Sequence, residues 1–258
     1  MLEMQTLYGA VSKPRWETDV VIIGGGPSAT DFDADFLRGK HILAVNDAAA
    51  QLPSSASLGQ TAVSFFSLDS EWVRGHRDFL SEFMEEKFVA LPLETFPECG
   101  GIPGVTYLKW GNEEGLSDDP AVINTGGNSG YGALNLAYLK GARRIFLVGF
   151  DMDPETDDKY VQWIPRFRAA AAQLRARGVE VWNMSPQSHV DAFPRVWSWM
   201  DAKGETWTWE TGRFKRSEAP EGYKPPAELL RRVLGSLNSQ ETASYGVGKT
   251  AEAGKGAL

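Results

Sequence analysis

Short apolar runs rich in β-branched residues alternate along this chain with longer segments of helical pattern. The runs cover residues 20–23, 41–45, 61–66, 88–91, 105–108, 144–148 and 179–182. Each run is too short for a stable helix, and most are bounded by glycine or polar residues. This pattern is typical of strands that are buried on both faces of a parallel sheet.

Two of the intervening segments have a clear helical pattern. Residues 129–140 place leucines and alanines on one broad apolar side of a helix. Gly141 follows the segment, and glycine is common directly after the end of a helix. Residues 162–177 are alanine-rich, carry arginines toward their C-terminal end and stop at Gly178. Strands that alternate with helices predict an α/β fold with a doubly wound, mainly parallel Rossmann-like sheet.

The pattern changes after residue 195. Four tryptophans alternate around a turn-like Asp-Ala-Lys-Gly, which predicts a hairpin with the indoles on one face: Trp197, Trp199, Trp207 and Trp209. A short helical pattern at residues 226–237 and a polar tail follow. The GVGKT of the tail lacks the preceding glycine, strand and following helix that a phosphate-binding P-loop requires.

These changes divide the chain into a leader (1–17), a Rossmann-like domain (18–200) and a C-terminal extension (201–258). We expect the extension to be an association arm of a homo-oligomer or a larger assembly, because aromatic residues are enriched at interface anchors. Two alternatives are that the indoles cover one edge of the sheet or stack on a sugar acceptor.

The composition restricts the class of protein. Hydrophobic residues make up 42% of the 258 residues, and no apolar run approaches the roughly 20 residues that cross a bilayer. The first residues lack the apolar centre of a secretion signal, and a single cysteine, Cys99, excludes an intrachain disulfide. The net charge of −8 argues against a nucleic-acid partner, although local basic clusters leave that alternative open. We expect a cytoplasmic protein without a membrane partner.

The first candidate for ligand chemistry is the loop after the first strand, Gly24-Gly25-Gly26-Pro27-Ser28. Glycines let the backbone turn sharply and approach a ligand closely, and a serine there can cap a helix or donate to phosphate. The spacing is not the G-x-G-x-x-G of dinucleotide sites, because Ala29 replaces the last glycine. The loop is interpreted as a phosphate-facing loop, with a simple tight turn as the alternative.

Two further polar clusters follow predicted strands or open a predicted helix. Asn46 and Asp47 end the second strand, where they can bind sugar hydroxyls or a base edge or simply form a turn. Asn128, Ser129 and Gly130 open the 129–140 helix, whose free N–H groups and positive dipole end suit a phosphate. We expect the loop from Asn124 to Gly130 and the loop from Gly24 to Ser28 to face each other across one cleft at the carboxyl edge of the sheet, because both follow strands or open helices of the same parallel layer.

Carboxylates after two other strands are candidates for catalysis. Asp151 follows the 144–148 strand and Asp69 follows the 61–66 strand. A carboxylate at such a position can bind a sugar, act as a base or hold Mg²⁺, or it can only cap the next helix.

Four segments in this order resemble the bacterial sialyltransferase-like superfamily: VVIIGGGPSATDFD, ILAVNDA, NSGYGALNLAYLKGARRIFLVGFDMD and VEVWNMSPQSHVDAFPRV. That superfamily includes bacterial sialyltransferases that use CMP-sialic acid, relatives that resemble hydroxymethylpterin diphosphokinase, and many bacteriophage proteins. The resemblance spans residues 19–195 and is closest in style to the bacteriophage members.

The resemblance implies a nucleotide contact for the glycine loop and for Asn46, and a contact with the CMP part of the donor for the Asn128-Ser129-Gly130 segment. Asp69 replaces a third asparagine of the family, and Asn183, Pro186 and Ser188 match its N-x-x-P-x-S segment. One departure concerns the general-base histidine of the sialyltransferases, which falls near Val161, where residues 160–162 contain no base. The only histidine nearby in sequence is His189.

The residues and the resemblance together predict a glycosyltransferase-like enzyme that binds a nucleotide or a CMP-sugar-like donor at the carboxyl edge of the sheet. Asp151, His189 and Asp69 are the candidate catalytic residues. No tightly bound cofactor is expected, and Mg²⁺ is an option. One rival is a pyrophosphokinase-like enzyme that transfers a phosphoryl group from a nucleotide. Another is a phage structural or assembly protein that keeps the fold without catalysis.

Overall fold

The computed structural model describes residues 7–12, 16–29, 37–52, 61–83, 85–185 and 188–195, together with the backbone of three strands between residues 198 and 216. The chain forms two compact units, which meet in sequence between Val196 and Trp197.

The first unit is built on one sheet of eight parallel strands. The strands are β1 (Val20–Ile23), β2 (His41–Val45), β3 (Val63–Ser67), β4 (Glu86–Leu91), β5 (Val105–Trp110), β6 (Val122–Ile123), β7 (Arg144–Val148) and β8 (Glu180–Asn183). Their order is β6-β5-β4-β3-β2-β1-β7-β8, so the chain moves outward from β1 and then returns to place β7 on its other side. The predicted doubly wound parallel sheet is confirmed. The reversal between β1 and β7 opens a crevice at the carboxyl ends of the strands, where ligands bind in such folds.

The helices connect these strands: Ala48–Gln51, Ser70–Gly75, Arg77–Glu82, Phe96–Cys99, Ser129–Leu139, Tyr160–Trp163 and Arg166–Ala176. The helix predicted at residues 129–140 is confirmed by the helix Ser129–Leu139. Gly141 and Gly178 have left-handed φ values, as expected for glycines that follow a helix. The prediction of one helix over 162–177 is wrong, because Pro165 has no N–H to continue the helical ladder and separates two helices. No helix among the described residues is long and apolar enough to span a membrane.

Alternate residues of the strands enter two separate apolar layers, one on each face of the sheet. Leu43, Val45 and Phe66 pack with the Ser129–Leu139 and Arg166–Ala176 helices. Ala44 and Phe65 pack in the other layer with the helices between residues 70 and 99. Since both faces are covered, the central strands β1, β2 and β7 are apolar at every position after the first, which is why they were recognisable as short continuous runs.

A buried polar cluster lies at the amino edge of the sheet. The Lys140 ammonium is fully buried and donates to Glu86 Oε1 at 2.8 Å, while Trp16 Nε1 donates to Glu86 Oε2 at 3.2 Å. The Trp16 ring stacks on the His41 imidazole with their centroids 4.0 Å apart. Burial lowers the pKa of His41 to about 4, so the ring is neutral at neutral pH. The cluster attaches the segment before β1 to the sheet.

The second unit contains an antiparallel sheet of three strands, β9 (Ser198–Met200), β10 (Thr206–Glu210) and β11 (Arg213–Arg216). Trp199 pairs with Trp207 in the β9–β10 register, so the predicted hairpin is confirmed at the level of its strands. The predicted helix at 226–237 and the polar tail lie outside the described residues, and the association role of the extension stays a prediction.

Candidate functional site

One cleft of about 510 Å³ lies at the carboxyl edge of the eight-stranded sheet. Nine of the residues selected from the sequence line it: Gly24, Gly25, Gly26, Asn46, Asp47, Asp69, Asn128, Ser129 and Gly130. The expectation that the glycine loop and the start of the Ser129–Leu139 helix face one cleft is therefore confirmed. Among the described residues, Pro27, Ser28, Asp151 and His189 do not belong to this lining. Whether the lining residues bind a nucleotide stays a prediction.

The glycine loop is shaped by a close approach to the backbone after β7. A Cβ on Gly26 would lie 2.6 Å from the Gly149 carbonyl oxygen and 2.2 Å from Asp151 Oδ2, and a Cβ on Gly24 would lie 2.8 Å from the same carbonyl. A Cβ on Gly25 would meet nothing within 4 Å. The outer two glycines are thus required by packing, whereas Gly25 leaves open space in the cleft.

We expect Gly26→Ala to lower the free energy of unfolding by about 1–3 kcal/mol, because the backbone must move away from Gly149 and Asp151. Gly25→Ala is the matched control, and its stability should stay within about 0.5 kcal/mol of the wild type. Urea unfolding of both variants checks this difference. Equal destabilisation by the two substitutions would contradict the packing explanation.

Ser28 and Asp151 lie behind the glycine loop and hold it in place. Asp151 Oδ2 accepts from Ser28 Oγ at 2.7 Å and from the Ser28 backbone N–H at 3.1 Å. Because the Ser28 hydroxyl donates to the carboxylate, the Ser185 hydroxyl, 2.7 Å away, donates to Ser28 Oγ in turn. Ser185 Oγ also accepts from the Phe150 N–H at 3.1 Å. The carboxylate predicted to be catalytic is therefore engaged in positioning the loop.

His189 lies beside this network. Its backbone N–H donates to the Asp151 carbonyl oxygen at 2.8 Å, and its Nε2 is 3.7 Å from Asp153 Oδ1. The side chains of His189 and Asp153 are both about half exposed. A catalytic role for His189 therefore stays a prediction without support from the geometry of the cleft.

Asn46 has an unusual conformation and an unpaired polar atom. Its φ is +52°, a left-handed value that asparagine tolerates better than most residues. Its Nδ2 lies 3.4 Å from Ser129 Oγ, whereas its Oδ1 is buried and has no hydrogen-bond partner among the described residues. With the amide rotated the other way, Nδ2 would take the unpaired position, so one polar atom lacks a partner in either orientation.

The start of the Ser129–Leu139 helix supplies free backbone donors. The Asn128 side chain caps the helix, because its Oδ1 accepts from the Tyr131 N–H at 2.9 Å. The N–H groups of Ser129, Gly130 and, across the cleft, Gly25 donate to no acceptor in the part of the chain that the structure describes. Ser129 Oγ accepts from the Leu68 N–H at 3.2 Å, so this serine also contributes to folding.

Asp69 and Asp47 line the cleft, and both accept hydrogen bonds from Trp72. Asp69 Oδ1 caps the Ser70–Gly75 helix by accepting from the Trp72 N–H at 3.0 Å, and Asp47 Oδ1 accepts from Trp72 Nε1 at 2.6 Å. One oxygen of each carboxylate is thus engaged. In the described residues no group of three or more His, Cys, Asp or Glu side chains is arranged to hold a metal ion.

The far wall of the cleft was not predicted. It is lined by Tyr160 and Trp163 of the Tyr160–Trp163 helix and by Lys159, the residue before that helix, in the region where the resemblance places the family's histidine. Lys159 is the only basic residue of the described lining. Burial, and then the charges of Asp157 and Asp151, raise the pKa of the Tyr160 hydroxyl, so Tyr160 stays protonated. The only sequence signal was an aromatic pair, Tyr160 and Trp163, three positions apart in a charged segment.

Backbone strain is concentrated at the cleft. Asn46 and Met152 are the only non-glycine residues with positive φ in the described chain, and both line it. Left-handed conformations of such residues cost about 1–3 kcal/mol and cluster at functional sites. The strain supports the interpretation of the cleft as a binding site.

Comparisons with known proteins found a weak structural similarity. No protein-family model matches the sequence, and no curated protein matches it significantly. Two solved structures of the sialyltransferase CstII from Campylobacter jejuni are similar to this chain, one in complex with the substrate analogue CMP-3FNeuAc and one with cytidine-5′-monophosphate. The first has a TM-score of 0.41, and the alignment covers 85% of this chain and 98% of the CstII chain. The second has a TM-score of 0.38, and the alignment covers 86% of this chain and 99% of the CstII chain. The sequence identity is 12% in both alignments. Similarities of this degree assign neither a family nor an activity to the chain.

Proposed function

We propose that the carboxyl-edge cleft binds a nucleotide or nucleotide sugar, and that the chain is a glycosyltransferase-like enzyme with a CMP-sugar-like donor. The observation that carries this proposal is the Asn46 amide, whose buried Oδ1 has no partner among the described residues. Leaving such a polar atom unpaired costs about 1–3 kcal/mol, and a ligand that hydrogen-bonds to it removes this cost. The polar edge of a base and the hydroxyls of ribose can supply a partner for either orientation of the amide.

The part of the cleft beside Asn46 suits a phosphate. The N–H groups of Gly25, Ser129 and Gly130 have no acceptor among the described residues, and those of Ser129 and Gly130 lie at the positive end of an 11-residue helix. Lys159 adds a positive charge on the far wall. Backbone donors, a helix dipole and one lysine together favour a phosphate over a neutral ligand. The order of the four resembling segments supports the same class of donor.

In the proposed transfer, an acceptor hydroxyl attacks the anomeric carbon of the donor. The bond from that carbon to the phosphate oxygen breaks, and the nucleotide leaves with the electron pair. Asp69 lines the cleft and has one carboxylate oxygen, Oδ2, outside its helix-capping bond, so it is our candidate to take the hydroxyl proton. Asp151 supports the reaction by holding the glycine loop.

Asn46→Gly is expected to weaken the binding of CMP by about 1–3 kcal/mol, which is roughly 5- to 150-fold, because the ligand loses its amide partner. The same variant should fold at least as well as the wild type, because glycine adopts the φ of +52° without strain. Titration calorimetry with CMP and thermal unfolding provide the two measurements.

Met152→Gly is the matched control for Asn46→Gly. It relaxes the other strained position of the cleft, at φ +47°, without removing an amide, so CMP affinity should stay within a few fold of the wild type. Unchanged CMP affinity in Asn46→Gly would contradict the proposed role of this residue.

The release of CMP from CMP-sialic acid, with and without saccharide acceptors, tests the chemical step. If the wild-type chain binds none of a panel of nucleotides and nucleotide sugars, the nucleotide-site proposal is wrong and the scaffold alternative is favoured. Transfer of a phosphoryl or pyrophosphoryl group from ATP to a small-molecule hydroxyl would favour the pyrophosphokinase-like alternative.

A further inference from the structure

Trp110 is an exposed tryptophan in the lining of the cleft. Three large hydrophobic side chains of the described residues are exposed, and Trp110, at 43%, is the one aromatic residue among them. It ends β5 at the carboxyl edge of the sheet. An exposed indole inside a cleft indicates ligand binding more strongly than an exposed apolar residue on a convex surface does, because a ligand that enters the cleft can contact the ring.

The indole is held in place although it is exposed. Its Nε1 donates to the carbonyl oxygen of Ala90 on the neighbouring strand β4 at 2.8 Å, and its backbone pairs with Ile123 of β6. The N–H therefore needs no ligand acceptor, and the ring is fixed before a ligand arrives. The exposed part of the indole is therefore available to a ligand, and an indole ring is suited to stacking on a flat apolar partner.

Trp110 lies away from the glycine loop in the order of the strands. The order β5-β4-β3-β2-β1 places it four strands from the glycine loop and two strands from Asp69 at the end of β3. At ~4.8 Å per strand these separations are roughly 19 Å and roughly 10 Å. Trp110 and Asp69 therefore lie close enough for one small molecule to contact both.

The charges on this side of the cleft define the chemistry of that molecule. Asp69 and Asp47 line the cleft toward β3 and β2, and Glu113, which follows β5, is paired with Arg166 at 2.7 Å. Carboxylates accept hydrogen bonds from hydroxyls and repel an anion. An uncharged molecule with several hydroxyls and one apolar face fits both the indole and the carboxylate.

We propose that Trp110 and Asp69 form a binding subsite for an uncharged sugar, whose apolar ring face stacks on the indole while a hydroxyl donates to Asp69. The identification of this sugar as the acceptor rests on the proposed function. The sugar-binding property itself does not require the nucleotide site.

Binding of methyl β-galactoside and methyl β-glucoside to the full chain tests the subsite, measured by saturation-transfer NMR and titration. We expect wild type to bind at least one of them at millimolar concentration and Trp110→Leu, which keeps apolar bulk for folding, to weaken that binding about tenfold. Trp110→Phe should restore most of the affinity. Leu93→Ala, at an exposed apolar residue outside the lining, is the control and should bind as wild type does.

CMP affinity is measured in parallel and should be unchanged in Trp110→Leu. A loss of CMP affinity instead of glycoside affinity would show that the indole stacks on the base and would overturn the subsite. Failure of both glycosides to bind a wild-type chain that binds CMP would overturn it as well. Glycoside binding that depends on Trp110, in a chain that binds no nucleotide, would uphold the subsite and refute the proposed function.

Discussion

Replacing Glu86 by leucine is expected to lower the free energy of unfolding by about 3 kcal/mol. The substitution leaves the fully buried Lys140 ammonium without its carboxylate and removes the acceptor of Trp16 Nε1. Breaking a buried ion pair from one side typically costs 3–5 kcal/mol, and we expect the lower value because the Glu86 side chain is 40% exposed. Urea or guanidinium unfolding measures the change.

Two further variants test this explanation. Glu98→Leu breaks the exposed pair with Arg74, whose side chains are both more than half exposed, and should cost less than about 1 kcal/mol. The double variant Glu86→Leu/Lys140→Met should be more stable than Glu86→Leu alone, because no buried charge is left unpaired. Similar losses for Glu86→Leu and Glu98→Leu would show that the amino-edge cluster is not a main source of stability.

Asp151→Ala is expected to cost about 2–3 kcal/mol and to weaken nucleotide binding as well. The substitution removes the acceptor of the Ser28 N–H and hydroxyl, and hydrogen bonds to a charged group are worth about 1.5–3 kcal/mol. The glycine loop loses its support, so the Gly25 N–H is less well placed for a phosphate. Thermal unfolding and CMP titration measure the two effects.

Asp153→Ala is the matched control for Asp151→Ala. The Asp153 side chain is about half exposed, and its carboxylate accepts from the Glu155 N–H in the same loop at 2.9 Å. We expect a change below about 1 kcal/mol and no effect on CMP affinity. If Asp151→Ala kept wild-type stability and binding but abolished transfer, Asp151 would act in the chemical step and not in positioning.

The fold was predictable where a strand is one continuous β-branched or aliphatic run. The runs at 20–23, 41–45 and 144–148 coincide with β1, β2 and β7, because strands covered on both faces have little polar alternation. The run predicted at 61–66 is displaced, since β3 covers Val63–Ser67. The helices Ser70–Gly75 and Arg77–Glu82 were not predicted, because their polar and aromatic residues follow no regular period over such short lengths.

The candidate site was predictable only where its chemistry is local in sequence. Glycines after a strand and polar residues at a helix start are visible in a few letters, and these segments meet because parallel strands share one carboxyl edge. The inward orientation of Ser28 was not predictable, because its partners Asp151 and Ser185 are 123 and 157 residues away. Trp110 was not predicted as a site residue, because the predicted strand covers residues 105–108, whereas β5 continues for two more residues to Trp110 at the cleft.

The placement of the amino-edge cluster and the cleft at opposite ends of the strands has a consequence for how this protein can diverge. Lys140, Glu86 and Trp16 stabilise one end, whereas residues such as Asp69 and Trp110 line the other. Substitutions at distant sites without shared partners combine nearly additively. Changes of ligand preference at the cleft therefore leave the amino-edge contacts intact, so that one scaffold can acquire different specificities through single steps that each keep it folded.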